Sequence, residues 1–258
     1  MKKPMKLLLT DLFRKIALLA VAVCPFCDGL GLIRSESGSR PCSCQREAEA
    51  KARMNRARIP PGFAPASFLN FKRNTSNARA QMVTESYARE FVPGDKERKP
   101  AGLLLVGSVG VGKTHLAVSI LRELIQTKGI EGRFVDMVEL LDQLRGSYSS
   151  TLEDQREILR PIFNADLVVL DELGAARPSD WVFETLELLI GGLYNRNSPV
   201  IVTTNLPNLP PLTGPASEYL RATRRETLGD RIGIRMWSRL QQMCMAEDLS
   251  GPDWRTKA

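Results

Sequence analysis

Gly107-Ser108-Val109-Gly110-Val111-Gly112-Lys113-Thr114 matches G-x-x-x-x-G-K-[ST] at every fixed position. An apolar run over residues 101–106 leads into it and predicts a buried strand. His115-Leu116-Ala117-Val118-Ser119-Ile120-Leu121 leads out at helical spacing. Strand, Gly-rich loop and helix in that order predict a phosphate-binding loop. The glycines let backbone N–H groups curl around an anion, and the helix N-terminus adds its dipole. The candidate nucleotide cradle is Gly107, Ser108, Val109, Gly110, Val111, Gly112, Lys113, Thr114 and His115. Lys113 has the reach for the β- and γ-phosphates of ATP, and Thr114 the hydroxyl for Mg²⁺.

Downstream of this loop, strand and helix alternate, which predicts a parallel sheet covered on both faces. Strands are expected over residues 132–137, 166–172 and 200–205, with a fifth over 240–246. Helices are expected over 138–145, 152–163 and 181–194. The strand at 166–172 is apolar until it ends in Asp171-Glu172, the form of a Walker B element. There Asp171 would complete the Mg²⁺ shell and Glu172 would orient and deprotonate an attacking water. The plainer alternative for this pair is a helix cap. Asn205 closes the next strand after Thr203-Thr204, where it would lie between the two phosphate-facing strands; its alternative is a turn residue before Leu206-Pro207. Six arginines follow, at 221, 224, 225, 231, 235 and 239. The i,i+4 spacing of Arg231 and Arg235 predicts one shared helix face. An arginine finger, a DNA-facing basic helix and ordinary surface ion pairs are all open readings of that stretch.

The 258 residues carry a net charge of +7, and its placement is uneven. Residues 1–62 hold 12 Lys/Arg against 5 Asp/Glu, so the remainder of the chain is neutral. A basic N-terminal module on a neutral core suits an anionic partner such as nucleic acid or an acidic protein face, or is a solvated basic helix. Residues 1–23 form an apolar leader with Lys2, Lys3 and Lys6 at its start, in the manner of a weak signal peptide. Asp11, Arg14 and Lys15 interrupt it, and the apolar residues 16–23 fall far short of the roughly 20 that a bilayer needs. Dependence on ATP places the chain in the cytoplasm, with no membrane partner.

Four of the five cysteines lie close together, as Cys24-Pro25-Phe26-Cys27 and Cys42-Ser43-Cys44. Two close pairs flanking a short Gly-rich hairpin are a ligand set for one tetrahedral Zn²⁺. A disulfide pair or a redox motif is the competing reading, and neither suits a cytosolic chain without thioredoxin-like context. Cys24-x-x-Cys27-x-Gly29-x-Gly31 also resembles one repeat of the DnaJ cysteine-rich region. A basic helix is expected over residues 45–58, ended by Ile59-Pro60-Pro61-Gly62, and another helix over 80–91. The expected organisation is a leader at 1–23, a zinc module with its helix at 24–58 and an ATPase domain at 59–258.

Gly-Val-Gly-Lys-Thr-His-Leu-Ala at 110–117, Leu-Asp-Glu-Leu-Gly at 170–174 and Thr-Thr-Asn at 203–205 resemble the AAA+ ATPases of the DnaC/DnaI helicase-loader and IstB transposition-helper group. So do Gly-Asp-Arg-Ile-x-x-Arg at 229–235, Gly-x-Asp-Trp-Arg at 251–255 and Ile-Pro-Pro-x-Phe-x-x-Ala-Ser-Phe-x-x-Phe at 59–71. The resemblance implies an α/β fold, with the three-layer parallel-sheet core of an AAA+ P-loop NTPase, lidless, behind a small zinc-binding module. It implies ATP hydrolysis, with Lys113 and Thr114 on nucleotide and Mg²⁺, Asn205 as sensor 1 and Arg235 as an arginine finger acting in trans. Arg231 would support that finger or touch nucleotide. The implied partners are a replicative helicase, single-stranded DNA and further copies of the chain assembled by ATP. Arg145 and Tyr148 would contact the DNA strand by charge and stacking, or are a surface arginine and a turn tyrosine. The group also implies an alternative function, a transposition helper that directs a transposase to DNA.

Overall fold

The structure is a computed structural model that describes residues 24–35, 38–95, 97, 102–146, 152–212 and 225–257. The leader, Tyr148, Arg221 and Arg224 lie outside the described residues. Contacts divide the chain into two units, Met1–Lys51 and Ala52–Ala258.

In the first unit, β1 (Leu32–Ser35) pairs antiparallel with β2 (Gly38–Pro41), in the register Leu32 to Pro41. The helix α1 (Ser43–Arg56) begins immediately after this hairpin and runs across the division into the second unit.

The second unit is built on five parallel strands. These are β3 (Gly102–Gly107), β4 (Gly132–Asp136), β5 (Leu167–Asp171), β6 (Val200–Thr204) and β7 (Cys244–Leu249), in the spatial order β4-β5-β6-β3-β7. Successive strand residues point to opposite faces, and the apolar residues divide accordingly. Leu103, Leu105, Val169 and Ile201 join the core under α2 (Ala78–Glu90) and α3 (Lys113–Lys128). Leu104, Val106, Val168, Leu170 and Val202 join the opposite core. That second core is covered by α4 (Met137–Gly146), α5 (Leu152–Phe163), α6 (Asp180–Asn195), α7 (Leu228–Ile232) and α8 (Ile234–Met243). Helices on both faces of a parallel sheet make the expected three-layer α/β core of an AAA+ P-loop fold. Among the described residues, no helix is long and apolar enough to cross a membrane.

Two local expectations change. The fifth strand is Cys244–Leu249 rather than 240–246. Met236, Leu240 and Met243 recur at helical spacing and bury one face of α8, so the helix claims residues 240–243. The strand itself carries Glu247 and Asp248, acids that hide its β character. The second correction concerns Arg231 and Arg235, which do not share a helix. Gly233, at φ 80° and ψ 155°, ends α7 and starts α8 between them. That backbone region is accessible to glycine and closed to other residues, so the i,i+4 relationship is broken.

Candidate nucleotide-binding site

Strand β3 delivers the chain to the loop at the carboxyl end of the sheet, and α3 leaves from Lys113. The loop turns tightly at Gly110 (φ 77°) and Gly112 (φ 103°), left-handed conformations that require glycine. Space imposes the same choice. A Cβ at Gly112 would lie 2.7 Å from the Phe71 ring, and one at Gly110 would lie 1.9 Å from Asp253 Oδ1. Phe71 and Asp253 therefore press directly on the loop, one from each side of it in sequence. Trp254 N–H also donates to Gly110 O at 3.2 Å.

The predicted chemical groups converge here. Lys113 Nζ donates to Ser108 O at 2.7 Å and to Asn205 Oδ1 at 2.6 Å. Thr114 Oγ1 donates to Asp171 Oδ1 at 2.9 Å, and Thr203 Oγ1 donates to the same oxygen at 2.6 Å. Glu172 N–H in turn donates to Thr203 Oγ1 at 3.0 Å. Strand order explains the arrangement, because β6 lies between β3 and β5 and puts Thr203 and Asn205 in reach of both. Glu172 adopts φ 56°, unusual for a residue with a side chain, as the chain leaves β5. Lys113, Thr114, Glu172 and Asn205 line one pocket of about 170 Å³ with Phe71 and Arg255. Val111 is wholly buried. The His115 ring is engaged by Ser67 O at 2.9 Å and stacks at a tilt on Phe71, 5.5 Å between centroids.

Burial sets the electrostatics. It pushes the Asp171 carboxyl above the usual carboxylate range, against the hydrogen bonds from Thr203 and Thr114. It also lowers the Lys113 ammonium below the usual lysine value, against the attraction of Asp171 and Glu172. A bound triphosphate–metal pair would supply the missing opposite charges. The 2.9 Å between Thr114 Oγ1 and Asp171 Oδ1 is close to the roughly 3.0 Å that separates adjacent ligands of an octahedral Mg²⁺ at about 2.1 Å.

The cysteines form a second centre. The Sγ atoms of Cys24, Cys27, Cys42 and Cys44 all lie within 4.8 Å of one another. Cys24 and Cys42 are 3.7 Å apart, and Cys27 and Cys44 are 3.4 Å apart. Tetrahedral Zn²⁺ with Zn–S bonds of about 2.3 Å separates its sulfurs by roughly 3.8 Å, so the set fits that ion. Asp28 (φ 48°) and Gly29 (φ 83°) turn the chain back after the first pair. A hydrogen bond from the Cys44 backbone lowers the Cys42 thiol to about 7, whereas the Cys27 thiol raises Cys44 to about 12.

A family model of IstB-like ATP binding proteins matches residues 35–209, two thirds of the chain, and spans both strands that carry the phosphate-facing residues. The chain belongs to the IstB-like ATP-binding family. Relatives of this IstB-like chain include the replicative helicase loader DnaC of Escherichia coli K12, 24% identical over 204 residues and 79% of each chain. YqaM of Bacillus subtilis is 24% identical over 179 residues, 65% of this chain and 55% of its own, so the chain spans about half of that relative. A crystal structure of the DnaC helicase loader superposes with a TM-score of 0.59 at 29% identity, covering 74% of this chain and 99% of that one. Domain III of the Thermotoga maritima replication initiator DnaA shares the fold, with a TM-score of 0.55 at 20% identity over 77% of this chain and 71% of that one.

The arginines of this IstB-like protein differ in their surroundings. Arg231 is 18% exposed, donates to Glu226 Oε2 through Nε at 2.8 Å and reaches Ala176 O at 3.0 Å. Arg235 is 79% exposed and meets only Glu187, at 3.7 Å, among the described residues. Arg145 lies 4.8 Å above the Trp181 ring. Sequence reasoning missed Thr203, the hydroxyl that joins Asp171 to Glu172. It also assigned no role to Phe71 and Arg255, although both lie in motifs that mark the family resemblance.

Proposed function

We propose that the chain is a DnaC-like AAA+ ATPase that loads a replicative helicase onto single-stranded DNA. The observation that carries the ATPase reading is the hydrogen-bonded link from Lys113 to Asn205 and from Thr114 through Asp171 and Thr203 to Glu172. Similarity to DnaC along 79% of both chains supports helicase loading. In this reading ATP lies on the loop 107–115, and Lys113 exchanges its bonds to Ser108 and Asn205 for phosphate oxygens. Thr114 and Asp171 hold Mg²⁺, which neutralises charge on the phosphate oxygens. Asn205, freed from Lys113, orients the attacking water, and Glu172 takes its proton. Arg235 reaches a neighbouring subunit's ATP site, as its exposure and its weak ion pair with Glu187 allow. Arg231 is already bound within its own chain and acts as a support.

The four cysteines hold Zn²⁺ as a structural staple, and the zinc module at 24–58 docks the helicase. The ATPase domain, 59–258, assembles with ATP and grips DNA by its backbone, so the binding weakens with salt. The cytoplasm is the compartment that supplies ATP and helicase. A second reading, a transposition helper, is favoured by the IstB-like family match itself. Light-scattering chromatography of the protein with its host's replicative helicase, ATP and Mg²⁺ separates the two. A stoichiometric complex is the expected result. No complex, with ATP-dependent assembly on DNA alone, would favour the transposition helper.

A further inference from the structure

The segment that follows β7 returns to the phosphate loop and is clasped there. Trp254 N–H donates to Gly110 O, and the Asp253 carboxylate packs where a Gly110 side chain would stand. Asp253 Oδ1 also accepts from Arg255 N–H at 2.9 Å, and Asp253 O accepts from Thr256 Oγ1 at 3.0 Å. The Lys72 ammonium lies 5.6 Å from the centre of the Trp254 ring and holds the other side of the clasp. The next side chain, Arg255, lines the same pocket as Lys113, Thr114 and Asn205. It is exposed, and among the described residues its guanidinium pairs with no carboxylate. A delocalised cation with five donors, lining a pocket whose floor is a phosphate loop, has the donor geometry for a pair of phosphate oxygens.

We propose that Arg255 is a nucleotide-binding residue, delivered to the loop by the Asp253–Trp254 clasp, whose guanidinium grips the phosphate chain of the nucleotide held on Lys113 of the same chain. This rests on the ATP-binding reading above. Both cations line one pocket, so an anion between them would bind both.

The test is a titration of a fluorescent ATP analogue onto the full chain, at several salt concentrations, for wild type, Arg255→Met and Asp253→Ala. Arg255→Met keeps an unbranched apolar stem and removes the guanidinium and its charge. It is expected to weaken binding roughly tenfold or more and to flatten the salt dependence, because one charged contact is lost. Asp253→Ala, which loosens the clasp, is expected to weaken binding in the same direction. The nucleotide-free melting temperature of Arg255→Met should match wild type, since the side chain is exposed. Unchanged affinity, or weaker binding with an unchanged salt dependence, would overturn the assignment. Failure of the wild type to bind the analogue is a separate result and would remove the ATP-binding reading itself.

Discussion

Lys113 Nζ and Asn205 Oδ1 are 2.6 Å apart, a charge-assisted hydrogen bond that ties the phosphate loop to the end of β6. This bond gives a nearly buried ammonium one of the two acceptors it has among the described residues. Replacing Lys113 by Ala is expected to weaken ATP binding by about a hundredfold or more, the loss of two charged contacts. Asn205→Ala should bind ATP and lower turnover about tenfold, since it removes only an orienting group. Nucleotide titration and steady-state hydrolysis separate the two effects. Equal losses of binding in both variants would contradict the division of labour.

Glu172 and Thr203 are expected to fail differently. Glu172→Gln should bind ATP normally and lose roughly a hundredfold or more in turnover, as removal of a general base does. Thr203→Val keeps the shape but strips Asp171 and the Glu172 backbone of a shared partner. It should lower both turnover and stability, the latter by about 1–3 kcal/mol for a buried hydrogen bond left unmade. Single-turnover hydrolysis and chemical denaturation of the two variants provide the comparison. A Thr203→Val protein of unchanged stability would show that the bridge is dispensable.

Asp171 gives a prediction about pH. Burial raises its folded value above the 3.8 of an ordinary aspartate. Such a group favours folding only while protonated. Its contribution is present in full below the unfolded value and is lost as pH rises through the folded one. Between acid and neutral pH the raised value therefore costs stability. Asp171→Asn is expected to raise the nucleotide-free melting temperature at pH 7 and to lose that advantage near pH 3.8. The same variant should lose Mg²⁺-dependent tightening of ATP binding. A lower melting point for Asp171→Asn at neutral pH would show that the Thr114 and Thr203 bonds outweigh burial.

The two arginines should separate in a mixing experiment. Arg235→Ala is expected to fold and bind ATP as wild type and to lose about a thousandfold in assembled hydrolysis. Mixed with Lys113→Ala subunits, which supply intact Arg235, it should regain part of that activity. Arg231→Ala should instead destabilise the chain by about 1–3 kcal/mol, through the loss of charged bonds to Glu226 and Ala176. Activity that does not return on mixing would place the finger elsewhere.

For the cysteine centre the readout is metal content. Purified wild type is expected to carry zinc in a one-to-one ratio, and Cys27→Ser to carry almost none. Proteolysis of residues 24–58 should quicken in the variant. A wild-type protein that carries no zinc after metal-replete expression would remove the staple.

The core of this fold was legible because its signals are local. The phosphate loop, the apolar run ending in Asp171-Glu172 and the helix at 152–163 each lie within a short window, where spacing alone distinguishes strand from helix. Asn205 was placed between the two phosphate-facing strands by the same reasoning, and β6 does lie between β3 and β5. What stayed hidden depends on distant partners. Phe71 meets Gly112, and Asp253 meets Gly110, only after the sheet has brought both ends of the domain together. Thr203 stands in the Thr-Thr-Asn motif, but its bond to Asp171 spans 32 positions and no local spacing announces it. Gly233 was passed over inside an Arg-x-x-x-Arg spacing that a continuous helix would have satisfied.

That single missing Cβ has a consequence for how the protein can change over time. Arg231 answers to Glu226 and Ala176, whereas Arg235 rides on a helix whose buried face packs against α6. Because the joint at residue 233 uncouples them, selection can retune the outward-facing arginine for a new neighbour without disturbing the inward one. A substitution that fused the two helices would bind these separate histories into one.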